Sequence, residues 1–300
     1  MRKILLLFFL GFITVVHADT GAKVGFSYLK IAVDSRAAAM GEAYTSITND
    51  VSATFWNPAG LAAAEKNSVL LMHNSWLQDI NHEFAAIQFV NGKHNLAVSL
   101  NLINVSGIEL REETASVNPI GVTQALNTYL GISYATTILE SWLVGVQLKY
   151  LYEKYYLNSA DGFALDLGVK KDNLIPDLGF GFVVQNIGKM SALKNQSTDL
   201  PFLVRAGINY RLPFKILNDR LLVAADFSHI LHNTSTVGLG LEATLLEYVD
   251  IRFGYVFGRE SQNITAGFGL GFGIFNISYA FVPYRYDLGN SHRFSLLVEL

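Results

Sequence analysis

Apolar side chains fall on every second position through most of this chain. In residues 142–153, Trp142, Val144, Val146, Leu148 and Tyr150 share one parity, while Gln147, Lys149 and Glu153 share the other. Side chains alternate between faces along an extended strand, so this segment makes a ribbon with one oily side and one wet side. From about residue 67 the pattern recurs in fifteen segments: 67–74, 82–90, 94–103, 105–112, 124–137, 142–153, 162–170, 178–187, 202–211, 219–229, 235–246, 248–257, 262–272, 274–283 and 291–300. Segment 105–112 is the weakest and reads as a loop or as part of its neighbour. An antiparallel bacterial barrel whose ends meet has an even strand number, so the predicted count is fourteen.

The two parities separate by chemistry. The oily set includes Leu96, Val98, Leu100 and Leu102; Phe163, Leu165, Leu167 and Val169; Leu221, Val223, Ala225 and Phe227; Val237, Leu239, Leu241 and Ala243; and Phe294, Leu296, Val298 and Leu300. The wet set includes Asn95, Ser99, Asn101, Asp166, Lys170, Arg205, Asn209, Arg211, Arg220, Asp226, Ser228, Arg252, Arg293 and Glu299. An Arg or Lys facing lipid at mid-bilayer costs about 2–4 kcal/mol. The wet set therefore turns inward and the oily set meets lipid. Fold class follows: all-β, a transmembrane antiparallel barrel.

Residues 19–66 lack the alternation. They are rich in Ala, Ser, Thr, Asp and Asn, with helix-like pieces at 35–44 and 50–56. Ser35 is placed to cap the first, and the Ala37-Ala38-Ala39-Met40 run favours helix. Pro58 biases Asn57 away from helical angles, so the chain turns there. A fourteen-stranded barrel is too wide for its own side chains to fill. Residues 19–66 are the natural plug, entering from the periplasmic mouth, and 67–300 form the barrel. Glycines at 179, 181, 267, 269, 271 and 273 alternate within strands and leave room for bending or for something packed on the wall. Asn91-Gly92 and Leu217-Asn218-Asp219 read as turns, and 113–123, 154–161, 188–200 and 284–290 as longer loops.

Composition supports the barrel. Hydrophobic residues are 51% of the 300, mean hydropathy is +0.29, and charged residues are only 16%. Soluble domains usually carry about 25% charge. The 20 Phe and 14 Tyr are enough to furnish interfacial girdles. Residues 1–18 read as an export signal: Arg2 and Lys3, an apolar run over 4–16, then Val16-His17-Ala18, with the mature chain starting near Asp19. The run is shorter than the roughly 20 residues a spanning helix needs. An exported barrel of this kind belongs in the bacterial outer membrane as a multi-pass protein. There is no cysteine, which removes disulfides, thiolate metal sites and Cys nucleophiles. Net charge is −3 with no basic run, so no nucleic-acid partner is expected.

Catalytic and cofactor motifs are weak throughout. His229-x-x-His232 has i and i+3 on opposite faces of a strand end and no nearby carboxylate or Cys, which argues against a metal. The glycine series lacks the strand–turn–helix setting of a nucleotide loop. Asp226 and Ser228 share a face, but His229 takes the opposite one, which spoils a triad. No enzymatic activity and no cofactor is expected. The inward charges either line a permeation path or form an ion-paired network between plug and wall; buried charge needs partners, which favours the network.

Two stretches are more specific. Ser35-Arg36-Ala37-Ala38-Ala39-Met40-Gly41-Glu42-Ala43 and Asn49-Asp50-Val51-Ser52-Ala53-Thr54-Phe55-Trp56-Asn57-Pro58-Ala59-Gly60-Leu61-Ala62 resemble the amino-terminal motif of the PorV/PorQ proteins, a branch of the FadL-like outer-membrane barrels. The closing Gly289-Asn290-Ser291-His292-Arg293-Phe294-Ser295-Leu296 resembles that branch's last strand. Glu42 stands where the branch usually has a small residue, and at 300 residues the extracellular loops must be modest. The resemblance implies a fourteen-stranded barrel with an amino-terminal hatch, its motif at Trp56, Asn57, Pro58, Ala59 and Gly60, either as a hinge or as a turn that shapes the plug. It implies a component of type IX secretion whose partners are outer-membrane lipid and secretion subunits or cargo signal domains. The alternative is a FadL-like channel for a hydrophobic ligand. A luminal apolar pocket with a lateral opening favours the channel; an ion-paired lumen opposes it.

Overall fold

The computed structural model describes residues 26–77, 80–112, 117–194, 199–213, 220–231 and 233–300. The export signal, the start of the plug at 19–25, the Leu217-Asn218-Asp219 turn, His232 and the side chain of Arg220 lie outside the described residues.

Among the described residues there are fourteen strands: β1 (Ser68–Ser75), β2 (Asn81–Asn91), β3 (His94–Leu110), β4 (Gly121–Ile138), β5 (Trp142–Tyr155), β6 (Asn158–Ile175), β7 (Leu178–Met190), β8 (Leu203–Arg211), β9 (Arg220–Ile230), β10 (Ser235–Leu245), β11 (Val249–Phe257), β12 (Ile264–Phe272), β13 (Phe275–Pro283) and β14 (Asn290–Glu299). Each pairs antiparallel with its sequence neighbours. β1 pairs with β14 from Ser68↔Glu299 to Ser75↔His292, which closes the barrel. Closure leaves no strand edge, as hydrocarbon requires. The start of β1 and the end of β14 share one rim, with short turns at 92–93, 139–141, 176–177, 246–248 and 273–274. The other rim carries the connections 111–120, 191–202, 258–263 and 284–289. Short turns face the periplasm and long loops the exterior in such barrels, which orients the molecule.

Alternation places the side chains as expected. Leu148 is 51% exposed on the outer face and its neighbour Gln147 is fully buried inside. Asn95, Ser99, Asn101, Asp166, Lys170, Arg205, Asn209, Asp226, Arg252 and Arg293 are all buried. Tyr255, Phe257, Tyr279, Phe281 and Phe294 cluster on the outer face toward the exterior rim, as a girdle. An outward polar contact interrupts the oily face: His73 Nδ1 and Glu83 Oε1, 2.6 Å apart. It sits two residues from the ends of β1 and β2, where lipid-facing charge costs little.

Segment 105–112 is part of its neighbour, one of the two readings its weak pattern left open: β3 continues into it past a register shift between Val105 and Ile108, with Gly107 at φ +75°. A bulge inserts a residue and re-aims the side chains beyond it, so the parity breaks while the strand does not. The loop expected at 154–161 does not form. Tyr155 pairs with Asn158, so β5 and β6 meet in a turn of Tyr156 and Leu157. Beyond the lipid neither face must be apolar, so that end of the hairpin loses its oily parity and looks like a loop.

The plug residues 26–66 fill the lumen. Its helices are shorter than expected, α1 (Ser35–Ala39) and α2 (Ala53–Trp56), with 3-10 turns at Ser27–Lys30 and Pro58–Ala63. Ser35 does not cap α1. Asp34 holds the cap position, and the amide and hydroxyl of Ser35 bond to Ser295 Oγ on β14 at 2.8 and 2.9 Å. The hydrophobic core lies between plug and wall: Val33, Ala37, Met40, Tyr44, Val51, Trp56 and Leu61 pack with Leu70, Phe84, Tyr129 and Leu151. The inner face is thus part apolar, where it meets the core of the plug, and part polar.

Candidate functional site

The run from Trp56 to Gly60 lies at the centre of the plug. Trp56 is fully buried, donates from Nε1 to the Val33 carbonyl at 3.0 Å, and meets Tyr44 and Phe55 edge-on. The Arg205 guanidinium of β8 lies 4.5 Å from the centroid of its ring. Asn57 is in extended geometry, as the following proline demands. Its Nδ2 donates to the Thr45 carbonyl at 3.0 Å and to the Val169 carbonyl of β6 at 3.2 Å, and its Oδ1 accepts from the Ala59 amide at 3.2 Å. One side chain thereby joins two plug segments to the wall. Pro58 and Ala59 press on β5 at Gly145, where any Cβ would fall on their backbone. A Cβ on Gly60 would strike Thr48 within the plug.

Wall glycines make the remaining close contacts. A Cβ on Gly181 would meet the Thr45–Ser46 backbone, one on Gly238 the Gly41 carbonyl, and one on Gly240 the Met40 carbonyl at 2.6 Å. Absence of side chains lets the plug backbone touch the wall backbone. Asp226 of β9 accepts the amides of Tyr44 and Thr45 at 3.1 and 2.7 Å, so it serves as a plug anchor. Ser228 lines a cavity above it, and His229 bonds Ser235 at 2.9 Å.

Ion pairs complete the attachment. Arg36 of the plug grips Glu242 of β10 through Nε and Nη2, at 2.7 and 2.6 Å. Arg252 of β11 shares that Glu242 at 2.7 Å and reaches Asp250 at 2.5 Å. Lys149 pairs with Asp166 at 2.8 Å across the wall. Glu42 pairs with Arg259 of the 258–263 loop at 2.6 and 3.0 Å. Burial pushes the Glu42 carboxyl up, but the Arg259 guanidinium outweighs it and holds the group below the usual carboxylate range. Asp34 makes no ion pair among the described residues, and the pull of Ser295, Arg252 and Arg36 on it is outweighed. Burial, with Asp50 adding to it, pushes its carboxyl up to about 6.

Four cavities bear on function. One of about 310 Å³ lies above the plug at the exterior mouth, lined by Lys30, Glu42, Arg205, Arg259 and Arg293 among others. A second of about 280 Å³ lies below it and is lined by Asp34, Arg36, Glu242, Asp250 and Arg252. The second is mainly polar, and the first mixes charged and apolar residues. The two apolar ones, of about 640 and 650 Å³, are lined mainly by outward residues: Ile208, Val223 and Leu239 in one, Leu71, Leu100 and Phe294 in the other. Sequence reasoning placed Arg205 and Arg293 inward but did not bring them together, and it did not single out Lys30 or Arg259. Position near the loop-bearing ends of inward strand faces was the available signal.

The profile of the type IX secretion system protein PorV matches residues 18–169, just over half of the chain. No curated protein matches the chain. Among solved structures, the Pseudomonas putida toluene transporter TodX is similar at a TM-score of 0.62 and 10% identity, covering 89% of this chain and 97% of that one. The monoaromatic hydrocarbon channel CymD is similar at a TM-score of 0.58 and 12% identity, covering 89% and 96%. At such identities the likeness is one of fold, and that fold is FadL-like. The match and these structures are of secretion and channel proteins, not enzymes. Closed wall, oily exterior, corked lumen and matching profile agree: this chain is a multi-pass outer-membrane barrel that belongs to the PorV family of type IX secretion proteins.

Proposed function

We propose that the protein docks exported polypeptides or partner secretion subunits at its exterior mouth. The observation that carries this reading is the ion-paired lumen. Arg36, Glu242, Arg252 and Asp250 line the luminal space below the plug with paired charge, where a hydrophobic solute would have to pass. Buried paired charges are costly to separate, so such a network resists an apolar passenger. Closure of the wall argues the same way, since each strand is paired on both sides and an apolar solute leaving sideways needs a gap between strands. The luminal cavity below the plug is mainly polar, the one above it mixes charged and apolar residues, and the strongly apolar cavities face lipid.

A second reading, a channel for small hydrophobic molecules, draws support from the fold shared with the hydrocarbon channels TodX and CymD. Affinity purification from detergent-solubilised outer membrane separates the two. Docking is upheld by recovery of secretion subunits or of exported proteins bearing a carboxy-terminal signal domain. Recovery of neither, together with a hydrophobic compound bound in the purified barrel, decides for the channel.

A further inference from the structure

The exterior mouth cavity has a charge imbalance that the fold does not resolve. Four cationic side chains line it, Lys30, Arg205, Arg259 and Arg293, against one carboxylate, Glu42. Glu42 is already committed to Arg259 through both oxygens. Arg205 and Arg293 are each only 3% exposed. Nε and Nη1 of Arg205 and Nε of Arg293 have no hydrogen-bond partner among the described residues. Asp226, on the strand beside Arg205, accepts the Tyr44 and Thr45 amides at its Oδ2, and its Oδ1 bonds to neither arginine.

Arginine does not shed its proton, so it cannot escape burial by neutralising itself. A buried guanidinium without a partner is strongly disfavoured unless an anion completes it. The Trp56 ring holds one face of Arg205, which fixes the plane and leaves its edge for a ligand. Planar guanidinium forks suit carboxylates, and the Glu42–Arg259 pair shows that geometry in the same cavity. The volume, about 310 Å³, admits one or two acidic side chains. Its rim includes Thr234, Gln262 and Tyr284, from the connections after β9, β11 and β13, so entry is from the cell exterior.

We infer that this cavity is an anion site that takes a carboxylate, an acidic side chain or a chain end, from a polypeptide presented at the cell surface. The polypeptide source rests on the docking reading; the anion site rests on the arginines alone.

The test is calorimetric titration of the full-length protein in detergent at low salt, with end-blocked hexaglutamate, end-blocked hexaglutamine and sodium sulfate as probes. Expected are saturable hexaglutamate binding, no hexaglutamine binding, and at least tenfold weakening in Arg205→Gln/Arg293→Gln. Glu42→Gln releases Arg259 and should tighten hexaglutamate binding several-fold. Heat-modifiable gel migration checks folding; if loss of the Trp56 contact unfolds the double variant, Arg293→Gln and Glu42→Gln alone carry the test. Failure of hexaglutamate to bind, or binding that these substitutions leave unchanged, overturns the site. Sulfate binding without hexaglutamate binding overturns the polypeptide carboxylate. A failure here while secretion subunits still co-purify removes the site and spares the docking reading; the reverse removes only the docking reading.

Discussion

Asn57 concentrates the logic of the plug in one side chain. It donates to two carbonyls, one in the plug and one in the wall, and accepts an amide in the turn that follows. Asn57→Ala strands all three partners in a buried place, at about 1–3 kcal/mol. Urea unfolding in detergent should show that loss, and hydrogen exchange should speed first at the amides of residues 45–60. Asp34 makes the opposite kind of case. Its carboxyl is pushed up to about 6 by burial and by Asp50, from an ordinary 3.8. The folded state then holds that proton more tightly than the unfolded one, so the group's contribution is full below pH 3.8 and is lost as pH rises through 6. Asp34→Asn should therefore raise the unfolding temperature above pH 6, by an amount bounded at about 3 kcal/mol, and give no gain below pH 4. A gain that is the same at both ends of the range contradicts this assignment.

At the scale of elements, the wall and plug meet through glycines. Gly145→Ala and Gly181→Ala each push a Cβ into plug backbone, at Pro58 and at Thr45. Each should loosen the plug while the barrel stays closed, seen as faster protease cleavage within residues 40–60 and a rise in planar-bilayer conductance. Gly271→Ala is the control: its Cβ would find nothing nearer than 3.8 Å, and neither readout should change. The strands were legible because lipid on one side and a polar lumen on the other force a period of two, as Gln147 and Leu148 show. Where that force stops, legibility stops. The bulge at Val105 to Ile108 broke the parity without ending β3, and β5 and β6 ran on past the lipid with mixed side chains. The plug's helices shrank because tertiary bonds, such as Ser35 to Ser295, overrode local propensity.

At the scale of the molecule, one closed wall separates three environments: lipid outside, a polar space below the plug and a cationic space above it. The plug motif was readable in the sequence as a compact run from Trp56 to Gly60. The cationic mouth was not, because Lys30, Arg205, Arg259 and Arg293 come from four distant parts of the chain and meet only through barrel closure between β1 and β14. Docking at that mouth is the central claim. A photo-cross-linking residue at Gln262, on the cationic rim, tests it most directly, with a second at Lys93 in a periplasmic turn as reference. The expected result in living cells is discrete adducts from position 262, identified by mass spectrometry as secretion subunits or exported proteins with carboxy-terminal signal domains, and none of these from position 93. Adducts at position 262 that contain no such protein, from barrels that carry a hydrophobic compound, contradict the account.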